Sequence, residues 1–579
     1  MPQMTEVDLG QWEFPAAPWE SDPALYLLPS VDSSRPGGAS TPSISSIYDE
    51  ESHSDTESES GRPFEDVGSQ HLTGLLLNAL VAGLTMAAFL LMIDSTILVT
   101  AIPTITTYFN SLADVGWYGS SYLLATCTLQ MLFGKVYMFY NSKIVFLSAF
   151  LIFEAGSLIC AVAQSSPMFI GGRVVSGVGG AGILNGAFTI MAAAAPLQDR
   201  PKLIGIILGV ASTGVALGPL IGGALTQNAS WRWCFYINLP AGAITVISLG
   251  LIRIPDARVS RNEGPVAIPE QIKRLDLPGC ALFASSVISL LLALDWGGVT
   301  YAWNSATIIC LFWTAGITLV LFLAWERHMG DTAMLPLSLL KQSAVSCAAA
   351  AGIMSYGGLY VIITYLPMWF QAVKDVSPLM SGVYYLPSVI STTLSTVGSG
   401  FLVSKYGQYT PFMIAGGALA AIAAGQMSTF VPSSGPELWV TYQLLNGIAR
   451  GMMAQQPVTA MQANLSPELI SIGTALVVFS QNFGASVFIS LGQTTFENSL
   501  LTALGDIGDG VDVQKVADAG ATDFRSAVPE GMVDAAVQAY NDGLISTFYL
   551  SAGASVVVFV LAWGFGFKSV KKTPDSESD

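Results

Sequence analysis

The sequence of 579 residues contains very little charge. Only 11% of its residues are Asp, Glu, Lys or Arg, against about 25% in an average soluble domain. Hydrophobic residues make up 52% of the chain. This composition excludes an ordinary soluble protein and indicates a chain that crosses a membrane many times.

Histidine and cysteine are also scarce. The three histidines lie outside the apolar segments, and the six cysteines show no paired spacing. We therefore expect no disulfide framework, no metal site and no cofactor. No nucleophile–base arrangement appears among the apolar segments, so we do not expect an enzyme. No basic cluster exists to hold phosphates, which argues against a nucleic-acid partner.

The acidic residues are concentrated in two places. The formal net charge is −17, and residues 1–70 hold 14 acidic and two basic residues. Residues 493–543 hold nine acidic and two basic residues. The first stretch is rich in Ser, Pro, Glu and Asp and has no apolar periodicity, so it predicts a disordered tail.

Fourteen apolar segments of membrane length follow this tail. They lie near residues 74–103, 116–138, 143–163, 168–193, 203–226, 233–252, 277–295, 306–326, 344–370, 378–403, 410–430, 437–459, 470–492 and 544–567. We predict an all-α polytopic membrane protein.

The distribution of Lys and Arg predicts the orientation. If the N-terminal tail is cytosolic, the inner loops and the C-terminal tail hold fourteen basic residues, and the outer loops hold four. Both termini are therefore expected in the cytosol. Asn228 begins an Asn-Ala-Ser glycosylation sequence on the outer side, close to the membrane.

Similar sequences recur in two pairs of segments. RVVSGVGGAG (173–182) and QLLNGIARGM (443–452) both place a polar residue four positions before Gly. GKVYMFYNSK (134–143) and GFLVSKYGQY (400–409) each begin with Gly at a helix end and turn back. Both pairs are eight segments apart, so we predict two six-helix halves that flank an extra pair, the seventh and eighth segments.

These sequences resemble the major facilitator superfamily, in its fourteen-helix drug:proton antiporter branch, and in particular fungal exporters of toxins and drugs. GKVYMFYNSK and GFLVSKYGQY stand where that family has its loop signature, G-x-L-a-D-r-x-G-r-k. Further similar stretches are MIDSTILVTAIPTI (92–105), RVVSGVGGAG, WRWCFYINLPAG (231–242), YLPMWFQ (365–371) and NGIARGMMAQQP (446–457). The signature's acidic residue is absent from both copies, where Met138 and Ser404 stand instead, so its role is not carried over.

The resemblance covers residues 74–567 and implies the major facilitator fold, with two six-helix bundles and two extra central helices. The expected divisions are an acidic tail at 1–70, a first bundle at 71–252, a linker with the extra helices at 253–343, a second bundle at 344–567 with an acidic outer loop at 493–543, and a cytosolic tail at 568–579.

The fifth segment matches the antiporter signature of this branch. Its signature positions are Gly205, Gly214, Gly218, Pro219, Gly222 and Gly223. At 100° per residue, Gly214, Gly218 and Gly222 fall within an arc of about 80° on one side of the helix. Gly205 and Gly209 fall on the opposite side. We expect two bare faces for close approach by neighbouring helices, with a bend at Pro219.

Ionisable residues inside a bilayer are costly and are candidates for function. Four stand out as candidates for proton coupling: Asp94, Glu154, Arg173 and Arg450. The resemblance adds weight to Asp94 and Arg173, although a buried ion pair that only fixes helix packing is the alternative. Arg450 serves the second half as Arg173 serves the first, or it binds a backbone carbonyl. Asp276, Asp295 and Glu326 lie at segment ends, where we expect solvated anchoring.

Aromatic and polar residues of the second half are candidates for a substrate cavity. They are Tyr356, Tyr360, Tyr365, Ser480, Gln481 and Asn482. Placement against lipid is the alternative for each tyrosine, whereas lipid contact would penalise the three polar residues of the thirteenth segment.

The resemblance implies a proton-driven efflux carrier in the plasma membrane that exports a small amphipathic compound by alternating access. Its expected partners are that substrate, protons and the lipid bilayer, and we expect a monomer. Proton-coupled uptake of a nutrient and a non-transporting membrane sensor remain as alternatives.

Overall fold

The computed structural model describes residues 71–111, 114–255, 274–298, 300–507, 516 and 524–571. The predicted disordered tail at 1–70, most of the linker between the sixth and seventh segments, and residues 572–579 lie outside these ranges.

The described residues form seventeen α-helices, and their only β contact is a bridge between Gly297 and Tyr301. The helices are α1 (Gly74–Phe109), α2 (Val115–Phe139), α3 (Ser142–Val162), α4 (Ser166–Ala194), α5 (Arg200–Asn228), α6 (Trp233–Tyr236), α7 (Asn238–Leu251), α8 (Leu277–Trp296), α9 (Ala306–Met329), α10 (Leu337–Leu340), α11 (Ser343–Ala372), α12 (Pro378–Tyr406), α13 (Thr410–Met427), α14 (Pro436–Met453), α15 (Gln456–Asn464), α16 (Ile470–Gly505) and α17 (Val533–Ala562).

Twelve helical spans in the described part of the chain are long and apolar enough to cross a membrane. Helix α2, and α14 together with α15, occupy the places of the other two predicted segments without being among these twelve. Many hydroxyl and amide side chains lower the apolarity of α2. The count of fourteen membrane helices therefore stays a prediction, with which this architecture is compatible.

Two of the predicted segments are interrupted by proline. Pro457 lies in the first turn of α15, and Pro240 lies in the first turn of α7. Proline has no backbone N–H, so the helical hydrogen bond that would continue the preceding helix is missing at both places. The twelfth segment is thereby divided into α14 and α15, and the sixth into α6 and α7.

The expected outer loop at 493–543 is helical at both of its ends. Helix α16 continues to Gly505, and α17 begins at Val533. Residues 493–504 contain neither Gly nor Pro and include Leu, Ala and Glu, which favour helix even outside an apolar segment. Hydropathy marks the bilayer boundary and not the end of a helix, so the outer loop at 493–543 stays a prediction, with helix at both of its ends.

The packing of the helices repeats with the predicted offset of eight segments. In the N-terminal half (α1–α7), α1 packs on α5, and α4 packs on α2 and α3. In the C-terminal half (α11–α17), α11 packs on α16, and α14 packs on α12 and α13. Between the halves, α5 packs on α12 and α2 packs on α16. The offset of eight segments relates α5 to α16 and α2 to α12, so these two contacts are equivalent.

The two halves meet mainly at one end of the molecule. This end bears Arg200, Lys202 and Lys405, and we call it the inner end, since the charge distribution predicts it to be cytosolic. Here the Ser404 hydroxyl donates to the carbonyl of Gln198 at 2.5 Å. This bond joins two neutral groups, and Ser404 stands at the position where the family signature has an acid.

The apolar core is organised in the same way. At the inner end a single cluster of buried apolar side chains joins both halves and includes Leu203, Leu335 and Met461. Toward the other, outer end two separate clusters surround Phe169 in one half and Trp369 in the other. The structure is therefore closed between the halves at its inner end.

The extra helices α8 and α9 pack on each other, and α8 also contacts α2 and α16. At the outer end the rings of Trp117 and Trp296 lie 5.7 Å apart. The extra pair thus lies along one of the two seams between the halves.

Candidate functional site

Asp94 of α1 and Arg173 of α4 form a buried ion pair. Arg173 Nη1 lies 2.7 Å from Asp94 Oδ2, and the two side chains are 1% and 0% exposed. Two charges taken out of water stabilise each other only when their remaining polar atoms are also satisfied. The structure brings together the two residues that the sequence singled out on separate segments.

Three further helices complete the surroundings of this pair. Asn238 of α7 donates to Asp94 Oδ1 at 3.2 Å and to Ser157 Oγ of α3 at 3.2 Å. From α2, the carbonyl of Tyr118 accepts from Arg173 Nε at 3.2 Å, and the ring of Tyr122 lies 4.5 Å below the guanidinium. Both oxygens of Asp94 are therefore occupied, and the Arg173 cation is bound by a carboxylate, a carbonyl and a π face.

Glycines allow these helices to seal the site. A Cβ on Gly179 would lie 2.5 Å from the carbonyl oxygen of Ala149, and one on Gly172 would lie 2.7 Å from Cys160 Sγ. Such contacts let α4 approach α3 at backbone distance, as small residues do in membrane packing. The Gly-rich run of the fourth segment thus explains why the charges next to it are buried.

Glu154 lies on α3, one turn before Ser157. Its side chain is 8% exposed, and neither carboxylate oxygen has a hydrogen-bond partner among the described residues. A Cβ added to Gly242 of α7 would collide with this carboxylate. An unpaired carboxylate charge in such surroundings carries a large desolvation cost, which protonation removes.

Arg450 lies outside this cluster, in the C-terminal half. Its Nη1 donates to the carbonyl of Ser355 at 2.8 Å, and Nη2 donates to Ser551 Oγ at 2.8 Å and Ser555 Oγ at 3.3 Å. In the described part of the chain no carboxylate lies within ion-pair distance of it. Of the two alternatives for Arg450, the observed contacts are those of carbonyl and hydroxyl binding.

The counterpart of Arg173 in the second half is Gln443. Gln443 Nε2 donates to the carbonyl of Tyr384 at 3.0 Å, in the way that Arg173 binds the carbonyl of Tyr118. The two halves therefore share a backbone contact at this place but differ in charge. These two residues are the first positions of the aligned repeats RVVSGVGGAG and QLLNGIARGM, so the sequence contains this correspondence.

The glycines of α5 face two different helices. A Cβ on Gly214 would lie 3.1 Å from the carbonyl oxygen of Phe89, and one on Gly222 would lie 2.5 Å from that of Ile97, both on α1. A Cβ on Gly209 would lie 2.6 Å from Val397 of α12, across the seam between the halves.

The other signature positions follow the same division. Gly205 faces α12 and Gly218 faces α1, whereas a Cβ on Gly223 would meet nothing within 4 Å; Pro219 lies inside the helix. Both expected close approaches are present, on opposite sides of α5.

The six candidate cavity residues separate into two groups. Tyr356, Tyr360 and Asn482 are partly exposed. Tyr365, Ser480 and Gln481 are buried, and the last two pack against Gly352 between α11 and α16.

Two of the three acidic residues expected in solvated positions are buried. Asp276 is 1% exposed and Glu326 is 0% exposed, whereas Asp295 is exposed. The expectation was wrong for the first two because the segment between α9 and α11 folds back over them. Asn228 is exposed at the end of α5, and its side-chain amide donates to the carbonyl of Ala224 at 2.9 Å.

Asn238, Ser157, Tyr118 and Tyr122 belong to this site and were not predicted from the sequence. Asn238 lies within the quoted WRWCFYINLPAG stretch, but a polar residue near a segment end has the pattern of an interfacial residue. In the described ranges no group of three or more His, Cys, Asp or Glu side chains is placed to hold a metal ion.

Comparisons with known proteins agree with this architecture. The chain is 45% identical over 518 residues to "Efflux pump mlcE" of Penicillium citrinum, which covers 88% of this chain and 94% of the relative. It is 44% identical over 506 residues to "MFS-type transporter pigP" of Monascus ruber, with 87% and 88% covered. It is also 44% identical to "Efflux pump mokI" of Monascus pilosus, with 86% and 93% covered.

Among solved structures, the proton:xylose symporter XylE bound to 6-bromo-6-deoxy-D-glucose aligns with a TM-score of 0.58 at 14% identity, covering 86% of this chain and 97% of that one. At that identity the likeness concerns the fold alone. The sequence profile of the Major Facilitator Superfamily matches residues 84–489. The chain is therefore a member of the major facilitator superfamily.

Proposed function

We propose that this protein is a proton-coupled exporter of a small amphipathic compound and works by alternating access. The observation that carries the proposal is the buried Asp94–Arg173 pair with the unpaired Glu154 beside it. Relatives at 44–45% identity bear the name efflux pump, which supports the direction of transport. We place the protein in the plasma membrane with both termini in the cytosol.

The chemistry of the site supports proton coupling. Protonation of Asp94 would cancel its charge and weaken its bond to Arg173, which would alter how α1 and α4 pack. Glu154 lies on α3 one turn before Ser157, which binds Asn238. Because neither of its oxygens has a hydrogen-bond partner among the described residues, it can take up a proton without breaking a hydrogen bond. A proton bound here therefore changes contacts between helices, as a coupled carrier requires.

The distribution of contacts supports alternating access. The halves share one apolar cluster at the inner end and have separate clusters at the outer end. Neutral hydrogen bonds and glycine contacts close the inner end, and such contacts separate without leaving a buried charge unpaired. We assign this structure to the state that faces outward.

The partly exposed side chains between the halves support an amphipathic substrate. Tyr356 and Tyr360 offer aromatic surface with a hydroxyl group, and Asn482 offers an amide. A few polar groups in an otherwise apolar site give orientation to a ligand.

The test is a deletion strain of the source organism, with intracellular and exported metabolites compared. We expect at least one amphipathic compound to accumulate inside the cell and to be exported again when the wild-type chain is restored. The purified compound is then assayed in inverted membrane vesicles energised by a proton gradient. Uptake into these vesicles that ignores the gradient would contradict proton coupling, and movement in the opposite direction would indicate a nutrient importer.

A further inference from the structure

Lys135 is a buried lysine that the proton site does not use. It follows Gly134 in the first loop signature, near the inner end of α2. Its side chain is 2% exposed, and Nζ donates to the carbonyl of Thr332 at 3.0 Å. A buried ammonium group needs an opposite charge, but the signature position that supplies an acid in the family is Met138 here.

The opposite charge comes from the extra pair of helices. Asp276 directly precedes α8, and Glu326 lies in the last turn of α9; both are buried. Lys135 reaches them through the segment that follows α9, whose Thr332 carbonyl accepts from its Nζ at 3.0 Å. The two extra helices thus place two acidic groups near the lysine of the signature loop.

The same carboxylates hold the segment that binds Lys135. Asp276 accepts from Trp325 Nε1 at 2.8 Å and from the backbone N–H of Met334 at 2.9 Å. Glu326 Oε2 accepts from the N–H of Leu335 at 2.7 Å. Residues 332–335 are therefore fixed to both extra helices, and the carbonyl of Thr332 is pointed at the lysine.

This arrangement lies on the seam between α2 and α16. A Cβ on Gly134 would lie 2.8 Å from Ala475 Cβ of α16. On the side of the extra pair, the rings of Phe283 on α8 and Phe479 on α16 are 5.0 Å apart. The extra pair therefore contacts both helices of the seam, but the buried lysine that its following segment binds belongs to α2.

We propose that Lys135, Asp276 and Glu326 form a lock that joins the extra helices to the N-terminal half and holds the inner end of α2 against α16. They are positioning residues of the transport cycle, and they touch neither substrate nor the proton site. In this arrangement α2, α8 and α9 move as one body. Because α8 also contacts α16, α2 cannot separate from α16 unless the contact between Phe283 and Phe479 opens as well. This inference rests on the proposed alternating access.

The experiment measures how often the seam opens. Ser471 lies on α16 beside Gly134, is 4% exposed and has no hydrogen-bond partner among the described residues for its hydroxyl. The isosteric Ser471→Cys therefore places a thiol in the seam. Its alkylation by a membrane-impermeant maleimide is followed in inverted vesicles, against the parent chain as background for the native cysteines.

We expect Lys135→Met to raise the labelling rate roughly tenfold, the factor that corresponds to about 1.4 kcal/mol, and Lys135→Arg to restore most of the parent rate. The matched control is Lys143→Met. Lys143 belongs to the same signature, but its Nζ binds the carbonyls of Gly250 and Ile252 within its own half, at 2.6 and 2.7 Å. We expect no change of labelling with that variant.

If Lys135→Met does not fold, Glu326→Gln takes its place, because glutamine keeps the acceptor for Leu335 and removes only the charge. Faster labelling with Glu326→Gln, together with a changed maximal rate of export at an unchanged KM, supports the lock. If the parent and both variants are labelled at the same rate, the lock is overturned, whereas alternating access is not. A thiol at 471 that is never labelled, under any pH gradient, overturns alternating access and the lock with it.

Discussion

Asn238 on α7 donates a hydrogen bond to Asp94 on α1 across 3.2 Å, and so occupies the carboxylate oxygen that Arg173 does not bind. One amide thus fixes the orientation of the buried carboxylate. Hydrogen bonds to charged groups contribute about 1.5–3 kcal/mol each. Asn238 is the residue whose removal tests the geometry of the ion pair without changing its charge.

We expect Asn238→Leu, which keeps the volume and removes the donor, to lower the free energy of unfolding by about 2 kcal/mol. It should also slow proton-driven export, because Asp94 loses one of its two partners. Ser157→Ala is the control, since it removes only the second acceptor of the same amide. Thermal unfolding in detergent and flux in proteoliposomes measure both effects. Equal stability of Asn238→Leu and the parent would show that the amide contact does not matter.

Asp94→Asn leaves the Arg173 cation buried without a carboxylate. Breaking a buried pair from one side costs about 3–5 kcal/mol, so we expect a large loss of stability and loss of the dependence of export on the pH gradient. The control is Asp199→Asn. Asp199 is partly exposed and pairs with Lys202 at 2.8 Å, where an ion pair contributes about 1 kcal/mol or less. Gradient-driven export by Asp94→Asn at the parent rate would remove Asp94 from the coupling site.

Gly218 and Gly223 are five residues apart on α5 and differ in what surrounds them. A Cβ on Gly218 collides with the Thr96 side chain and reaches the backbone N of Ile97 at 3.0 Å, whereas a Cβ on Gly223 meets nothing within 4 Å. We expect Gly218→Ala to push α1 away and to destabilise the protein by about 1–3 kcal/mol. Gly223→Ala should be neutral or stabilising by up to about 1 kcal/mol. Unfolding curves of the two variants decide, and similar behaviour would contradict the assigned packing.

Ser404 links the halves at the inner end through the carbonyl of Gln198. We expect Ser404→Ala to favour opening at this end by about 1 kcal/mol, roughly a fivefold change in population. Ser395→Ala is the control, because Ser395 donates to the carbonyl of Ile448 within its own half, at 2.6 Å. Distances between spin labels on the inner loops of the two halves measure the populations. An equal shift in both variants would assign the effect to α12 itself and not to the link.

Asp114 lies outside the membrane-spanning helices, at the outer end. Hydrogen bonds from the hydroxyls of Ser111 and Ser166 hold the pKa of its carboxyl below the usual 3.8. A lowered pKa in the folded state stabilises the fold above the unfolded-state pKa, and this contribution is lost as the pH falls through the folded value. We expect the parent to exceed Asp114→Asn in melting temperature at pH 6 and to lose that small advantage below about pH 4. An advantage that stays constant with pH would contradict the assignment.

The sequence predicts the architecture well because bilayer physics leaves few alternatives. Scarce charge, apolar segment lengths and the repeated loops lead to the superfamily fold, and the opposed glycines of α5 predict its two close contacts. These features depend on local composition and periodicity, which one sequence contains in full.

The sequence does not predict how side chains from distant segments meet. Asp276 and Glu326 have the pattern of solvated anchors, and only the return of the following segment buries them. In the same way the sequence allows Arg450 to serve the second half as Arg173 serves the first, but its contacts are with hydroxyl and carbonyl oxygens of α11 and α17. Such contacts depend on which helices become neighbours, and hydropathy does not contain that information.

The two halves differ in their buried charges, and this difference affects how export depends on the membrane voltage. In the C-terminal half the Arg450 cation is balanced by the dipoles of neutral groups, so its charge is the same in every state of the cycle. In the proposed mechanism, the charge at Asp94 and Glu154 in the N-terminal half changes with each proton that binds. A potential of 100 mV acts on one elementary charge with about 2.3 kcal/mol. The pH dependence of this voltage effect should therefore report on the N-terminal half, and a substitution that removes the Arg450 charge should leave that pH dependence unchanged.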